Sequence, residues 1–211
     1  MSPDAPLFPL FGLVRHRMAT DGQGVTTLAA VYGCPLRCRY CLNPQSWREN
    51  TAVKPVTARE LYDLVKIDDL YFQATGGGVT FGGGEPLSHA VFIRAFRAVC
   101  GDRWRLCAET SLNVPKDMVE TAMECLDEFI VDVKDTNPDI YRRYTGADNA
   151  GMLRNLEELV RRVGAERVLA RVPLIPGYNT VDDVETSLSR LRAMGIQRFD
   201  TFTYRVPSAQ N

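Results

Sequence analysis

Residues 128–134 read Glu-Phe-Ile-Val-Asp-Val-Lys. The β-branched and aromatic centre predicts a strand. Its end is unlike a plain core strand. Side chains alternate faces along a strand, so Asp132 and Lys134 share a face with Ile130. The same ending recurs along the chain. Arg105-Leu106-Cys107-Ala108-Glu109-Thr110 carries Glu109 near its end, Val168-Leu169-Ala170-Arg171-Val172 carries Arg171, and the run from Phe199 reaches Arg205. Gly78 to Phe81 is followed by Gly82, Gly83, Gly84 and then Glu85. The sixth β-rich run, 25–32, ends at Gly33 and a loop rich in cysteine.

Helical patterns separate these runs. Thr57 with Glu60 is a capping box, predicting a helix through about Ala74. Ser88 is read as the cap of a helix ending near Gly101. Helices are expected at 115–125, from Asn137-Pro138, at 150–163 closed by Gly164, and at 181–194 closed by Gly195. Strands alternating with helices imply parallel pairing and right-handed crossovers. A closed eightfold barrel takes around 250 residues. The 211 residues here suit an α/β fold with six units, an incomplete (βα)6 TIM-like barrel; a doubly wound open sheet is the alternative, and periodicity does not separate the two. One domain is expected, with 1–24 as a lead-in, 25–205 as the partial barrel and 206–211 as a tail. Both folds bind ligands at the C-terminal ends of their strands. Acids and bases gathered there in mixture suit a zwitterionic ligand.

Composition excludes several classes. Twenty-five Lys and Arg against 26 Asp and Glu give a net charge of −1, which excludes a nucleic-acid binder held by charge. With 45% hydrophobic and 24% charged residues the chain is not disordered. No apolar run nears the roughly 18 residues of a membrane span. Met1 to Leu13 has three prolines and no basic start, so no secretory leader is expected and the setting reads as cytoplasmic and reducing. The six cysteines then read as metal ligands or plain thiols.

Three of them lie in Gly33-Cys34-Pro35-Leu36-Arg37-Cys38-Arg39-Tyr40-Cys41, a C-x3-C-x2-C spacing. Thiolates this close in a loop suit one metal centre. Structural zinc wants four ligands, and His16 and His89 sit at no usual zinc spacing. Iron–sulfur clusters are normally held by four cysteines; three leave a coordination position open, the mark of a reactive metal. Cys100 and Cys125 read as core residues, and Cys107, on one face with Glu109, as a neighbour of the site.

On these residues the chain resembles the radical S-adenosylmethionine (SAM) superfamily. The cysteine spacing with Tyr40 before the last cysteine looks like its first motif, and Gly83-Gly84-Glu85-Pro86 like its GGEP motif. Asp21-Gly22-Gln23-Gly24, Asn43 with Trp47, Asp132-Val133-Lys134, Tyr144-Thr145-Gly146 and Pro176-Gly177-Tyr178-Asn179 are similar to elements of glycyl-radical-enzyme activating enzymes. Three positions depart from that pattern: Gln23 replaces a proline, Leu112 a glycine, and Arg205 a histidine.

The resemblance implies a 4Fe–4S cluster held by Cys34, Cys38 and Cys41, with SAM on the fourth iron. Reductive cleavage then gives a 5′-deoxyadenosyl radical that abstracts hydrogen, most simply from a glycine of a partner enzyme. It further implies that Gly82, Gly83 and Gly84 let backbone approach SAM, that Glu85 and Glu109 lie at its ammonium, and that Lys134 pairs with its carboxylate. Asp132 is expected at the ribose, Arg171 at carboxylate or ribose, Tyr40 beside adenine, and Arg205 near adenine. Between Arg15 and Arg59 seven basic residues face two acids, which suits docking of an acidic electron donor such as flavodoxin or ferredoxin. A monomer acting on a protein or peptide is expected. A ribosomal peptide as substrate, and a metal-binding module without catalysis, are the competing readings.

Overall fold

The structure is a computed structural model that describes residues 5–18 and 21–204. Eight strands form one sheet: β1 (Phe8–Met18), β2 (Val25–Val31), β3 (Lys54–Val56), β4 (Gly78–Gly83), β5 (Arg105–Thr110), β6 (Glu128–Asp132), β7 (Val168–Arg171) and β8 (Arg198–Asp200). Their spatial order is β3-β1-β2-β4-β5-β6-β7-β8. The six strands from β2 onward are parallel and follow chain order without a reversal. A doubly wound sheet needs such a reversal. This is therefore the incomplete barrel, open between β8 and the β1–β3 edge.

The helices are α1 (Ala58–Val65), α2 (Asp69–Thr75), α3 (Ala90–Cys100), α4 (Lys116–Met123), α5 (Pro138–Thr145), α6 (Ala150–Val163) and α7 (Val181–Ala193). Their apolar stripes cover one face of the sheet. Strand residues of that face, such as Val79, Phe81, Leu106, Phe129, Val131 and Val168, belong to the core cluster with Phe92, Phe96, Trp104 and Leu156. Each such aromatic stabilises by about 1.5–3 kcal/mol. The alternate residues point the other way, into the barrel interior. Register puts Glu109 beside Ile130, and Asp132 beside both Arg171 and, one strand further, Asp200. The interior is thus apolar in its middle and charged at its C-terminal rim.

Three local expectations change. Residues 8–18 are a strand of the sheet rather than a lead-in, paired with β2 along its length and with β3 through Phe8 to Leu10. Pro9 hides this from the sequence, since proline argues against a strand except at an edge; here it faces Pro55 of β3. The helix expected from Thr57 keeps its capping box but breaks at residues 66–68. At the break Asp68 is wholly buried and takes hydrogen bonds from Arg15 and Thr27, with His16 at 2.9 Å. Ser88 is not a cap. The 3-10 turn Pro86–His89 precedes α3, and the Glu85 carboxylate caps that turn through the Leu87 amide.

Candidate active site

The cysteine loop leaves β2 at Gly33, whose amide donates to Ser46. Leu36 anchors it in the core at 3% exposure. Its outer turn is clamped to the end of α5: the Arg37 amide donates to the Thr145 carbonyl at 2.8 Å and the Arg39 amide to the Tyr144 carbonyl at 3.1 Å. Cys38 stands between those two bonds. All three cysteines are half-buried thiols, not disulfides. Burial pushes the Cys34 thiol up to about 12. Burial also raises Cys38, against the opposing pull of the Lys134 ammonium.

The glycine run lies directly against this loop. The Gly84 amide donates to the Val31 carbonyl at 2.9 Å and the Glu85 amide to the Gly33 carbonyl at 2.8 Å. A Cβ at Gly84 would overlap the Gly33 carbonyl oxygen, and one at Gly83, where φ is +87°, would press on Ala30 and Phe11. These glycines let two loops cross, in addition to any approach of a ligand.

Glu85 is 1% exposed and its carboxylate is filled by the protein itself. It accepts from the Leu87 amide at 3.1 Å, the Thr110 hydroxyl at 2.6 Å, and the Ser111 amide and hydroxyl at 2.9 and 2.6 Å. A carboxylate offers about four acceptor positions, and all are in use. Burial raises its pKa and these four donors pull it back. Glu85 therefore staples the β4 loop to the β5 loop.

The rim charges come as two groups. Lys134 is 6% exposed; its ammonium lies 2.9 Å from Asp132 and 3.0 Å from the Tyr204 hydroxyl. Burial lowers that ammonium, but Asp132, Tyr204, Cys38 and Tyr144 together reverse the effect, so it is held charged. Arg171 bonds Glu109 at 2.8 Å and lies 3.4 Å from Asp200. Burial raises Glu109, opposed by Arg171. Each group pairs a cation with acid, and the two share Asp132 electrostatically.

Around Lys134 stands an aromatic wall that the sequence only partly announced. Tyr40 meets Tyr144 and Tyr178 edge-on at 6.0 and 5.6 Å, and its hydroxyl donates to the Pro176 carbonyl. Tyr144 also meets Tyr178 at 5.1 Å and Tyr204 at 6.1 Å. Tyr204 reaches the site because pairing with the β7 loop continues past β8, through Val172, Leu174 and Tyr204 amides. Arg205 lies outside the described residues. Thr110, Ser111, Tyr144 and Tyr204 are not among the expected site residues; Tyr144 belongs to the Tyr-Thr-Gly element at 144–146, and the others adjoin the departing positions Leu112 and Arg205.

The remaining cysteines separate. Cys100 and Cys125 are in the core. Cys107 is buried in the barrel interior with Glu128 and Glu109 as charged neighbours, below the rim and away from the cysteine loop. The basic stretch also divides. Arg15 and Arg17 bond the buried Asp68 and Asp21, and Arg59 bonds Asp63. Arg37, Arg39 and Arg48 stay exposed around the cysteine loop, with the Arg37 guanidinium 5.3 Å over the Trp47 ring.

The donor set fits an iron–sulfur cluster better than a single ion. Among the described residues no three Cys, His, Asp or Glu side chains converge where one ion could sit. A cluster needs no such convergence, because its cysteines ligate different irons. The site also keeps a buried hydroxyl, that of Tyr144, with no partner in the protein.

Residues 29–191 match the family described as the Radical SAM superfamily. The (2S)-3-sulfopropanediol dehydratase activating enzyme of Klebsiella oxytoca is 27% identical, over 84% of this chain and 74% of that one. The pyruvate formate-lyase-activating enzyme of Staphylococcus aureus is 31% identical, over 77% of this chain and 67% of that one. Among solved structures, Streptococcus suis SuiB bound to S-adenosylmethionine shares the fold at a TM-score of 0.64 and 14% identity, over 84% of this chain and 40% of that one.

Proposed function

The chain belongs to the radical SAM superfamily, and from that premise we propose that it is an activase that takes a hydrogen atom from a glycine of a partner glycyl-radical enzyme. Its cofactors are a 4Fe–4S cluster and SAM. The observation that carries the reading is the rim: half-buried cysteines after one parallel strand and two cation–acid groups at the ends of others, in a chain whose curated relatives include two such activating enzymes.

Cys34, Cys38 and Cys41 would hold the cluster. Lys134, already charged and poised, would take the carboxylate of SAM. Glu109 and the backbone of Gly82 to Gly84 would receive its ammonium, since the Glu85 carboxylate is filled. Asp132 would accept from the ribose, Arg171 would hold Glu109 and Asp132 in place, and Tyr40 would wall the adenine. When bound, the cluster and SAM supply reductive cleavage of the sulfonium and a carbon radical that removes the substrate hydrogen. The protein's part is to orient both and keep water from the opening.

Arg37, Arg39 and Arg48 surround the loop that would carry the cluster, so an acidic electron donor such as flavodoxin or ferredoxin is the fitting partner on that side. The enzyme would act as a monomer in the cytoplasm. Among the described residues no helix is long and apolar enough to cross a membrane.

The test is anaerobic reconstitution with iron and sulfide, followed by dithionite and SAM. Formation of 5′-deoxyadenosine supports the chemistry. A glycyl-radical electron paramagnetic resonance (EPR) signal on an added partner enzyme supports the activase role. A loaded cluster that never cleaves SAM refutes both.

A further inference from the structure

The two sides of the barrel opening are finished differently. β3 pairs with β1 only through Phe8 to Leu10, so beyond Leu10 the outer side of β1 carries no strand. That stretch is blunted. Its register shifts between Leu10 and Gly12 and again between Val14 and Arg17, His16 has φ +55°, and Arg15 and Arg17 put charge on it. Bulges and charges of this kind keep an edge from pairing with another chain. The opposite edge, formed by β8 and the residues that continue it, lacks them from Thr201 to Thr203. Thr-Phe-Thr has no charge, no proline and no positive φ, and β-branched and aromatic residues favour extended pairing. The charges just before it are engaged: Arg198 bonds Glu128, and Asp200 lies 3.4 Å from Arg171.

The hydrogen bonds show which way this edge faces. The Asp200 and Phe202 carbonyls accept from the Val172 and Leu174 amides at 2.9 and 2.8 Å, and the Tyr204 amide donates to the Leu174 carbonyl at 2.9 Å. Successive residues of a paired strand turn their amides and carbonyls to opposite sides. Those of Thr201 and Thr203 therefore point away from β7, into the barrel opening. Both residues are exposed, and their backbone groups enter no hydrogen bond among the described residues. One residue further on, the Tyr204 hydroxyl is 3.0 Å from the Lys134 ammonium, so the open edge leads to the charged rim.

We propose that the backbone of Thr201 and Thr203 docks the segment of the partner that carries the target glycine, taking it up as an added extended strand. The occupant follows from the activase reading, on which this inference rests. A glycine offers no side chain to grip, so an enzyme that selects one must hold the backbone around it. Strand addition does this through main-chain hydrogen bonds. The added strand would lie about 4.8 Å from Thr203, with alternate side chains on the face of Phe202 and Tyr204.

The experiment uses the SAM-loaded holoenzyme and, as probe, the acetylated and amidated peptide Lys-Thr-Val-Gly-Val-Thr-Lys at millimolar concentration. Amide hydrogen exchange at Thr201 and Thr203 is expected to slow at least about tenfold when the peptide is added. Thr201→Pro removes one outward N–H and leaves the bonds to β7 in place. With dithionite and no peptide it is expected to cleave SAM at the wild-type rate. With the peptide deuterated at glycine, a Cα–D bond breaks and a C5′–D bond forms in 5′-deoxyadenosine. The peptide concentration for half-maximal transfer should rise at least about tenfold in Thr201→Pro, and Thr201→Ala, which keeps the amide, should match wild type. Unslowed exchange overturns the proposal, and so do equal losses in Thr201→Ala and Thr201→Pro. The exchange measurement needs no variant, so it decides even if Thr201→Pro fails to load a cluster. Protected edge amides without deuterium transfer would uphold the docking edge and refute the glycine reading. Transfer with freely exchanging edge amides would do the reverse.

Discussion

The Lys134 ammonium lies 2.9 Å from the carboxylate of Asp132, two residues back at the same strand end. Lys134 makes this contact with a left-handed backbone, φ +62°, which a residue with a side chain adopts at a cost. The strained backbone turns the side chain across the rim, toward Tyr204 and Cys38, instead of out to solvent. A fully solvated ion pair would be worth little; here the ammonium is buried and the carboxylate only partly exposed.

Lys134→Met is therefore expected to weaken SAM binding to the reconstituted protein by at least about tenfold, the scale of one charge-assisted hydrogen bond. Equilibrium binding of SAM measures it. Unchanged affinity would remove Lys134 from the SAM site.

Gly84→Ala is expected to cost about 2 kcal/mol or more, as overpacking of a close contact does, because its Cβ would overlap the Gly33 carbonyl and sit 2.7 Å from that of Val31. The cysteine loop must move to relieve it. Urea melts and iron content after reconstitution check this; normal values for both would show that the two loops do not need their close crossing.

Asp68 gives a pH signature. Its hydrogen bonds from Arg15, Thr27 and His16 hold its pKa below the ordinary aspartate value. A depressed carboxylate contributes stability above its unfolded pKa, about 3.9, and loses it as pH falls through the folded value. Asp68→Asn is expected to be less stable than wild type by about 1–3 kcal/mol at neutral pH. The gap should close as pH drops below about 4. A pH-independent gap in urea midpoints would count against the pairing.

Arg39→Glu and Arg48→Glu reverse two exposed charges beside the cysteine loop. Reduction by an acidic protein donor is expected to slow severalfold and to lose part of its salt dependence. Reduction by dithionite should change far less. Equal slowing with both reductants would mean that the substitutions disturb the loop and not a docking face.

How much of this was readable in advance differs residue by residue. The βα alternation and the charged strand ends follow from short-range patterns, and the fold obeys them. The cysteine spacing and glycine run are local too, because each loop must be made by neighbours in sequence. Position 112 shows where local reading stops. Leucine there departs from the glycine that the family resemblance leads one to expect, yet it adopts φ +54° all the same. The Thr110 hydroxyl receives its amide and Asn155, 43 residues on, donates to its carbonyl at 3.0 Å. Fixed hydrogen bonds and a fully buried side chain offset the strain that glycine would have avoided.

The sequence by itself determined the alternation that makes the main strands parallel, the three-cysteine loop and the charged residues at the strand ends, since these depend on periodicity and spacing. The tertiary structure decided what each polar group faces. It set Glu85 as a staple between two loops, and brought Tyr204 to Lys134 across 70 residues of chain. Hydrogen bonding is directional and short-ranged, so its partners emerge only when distant segments are packed together.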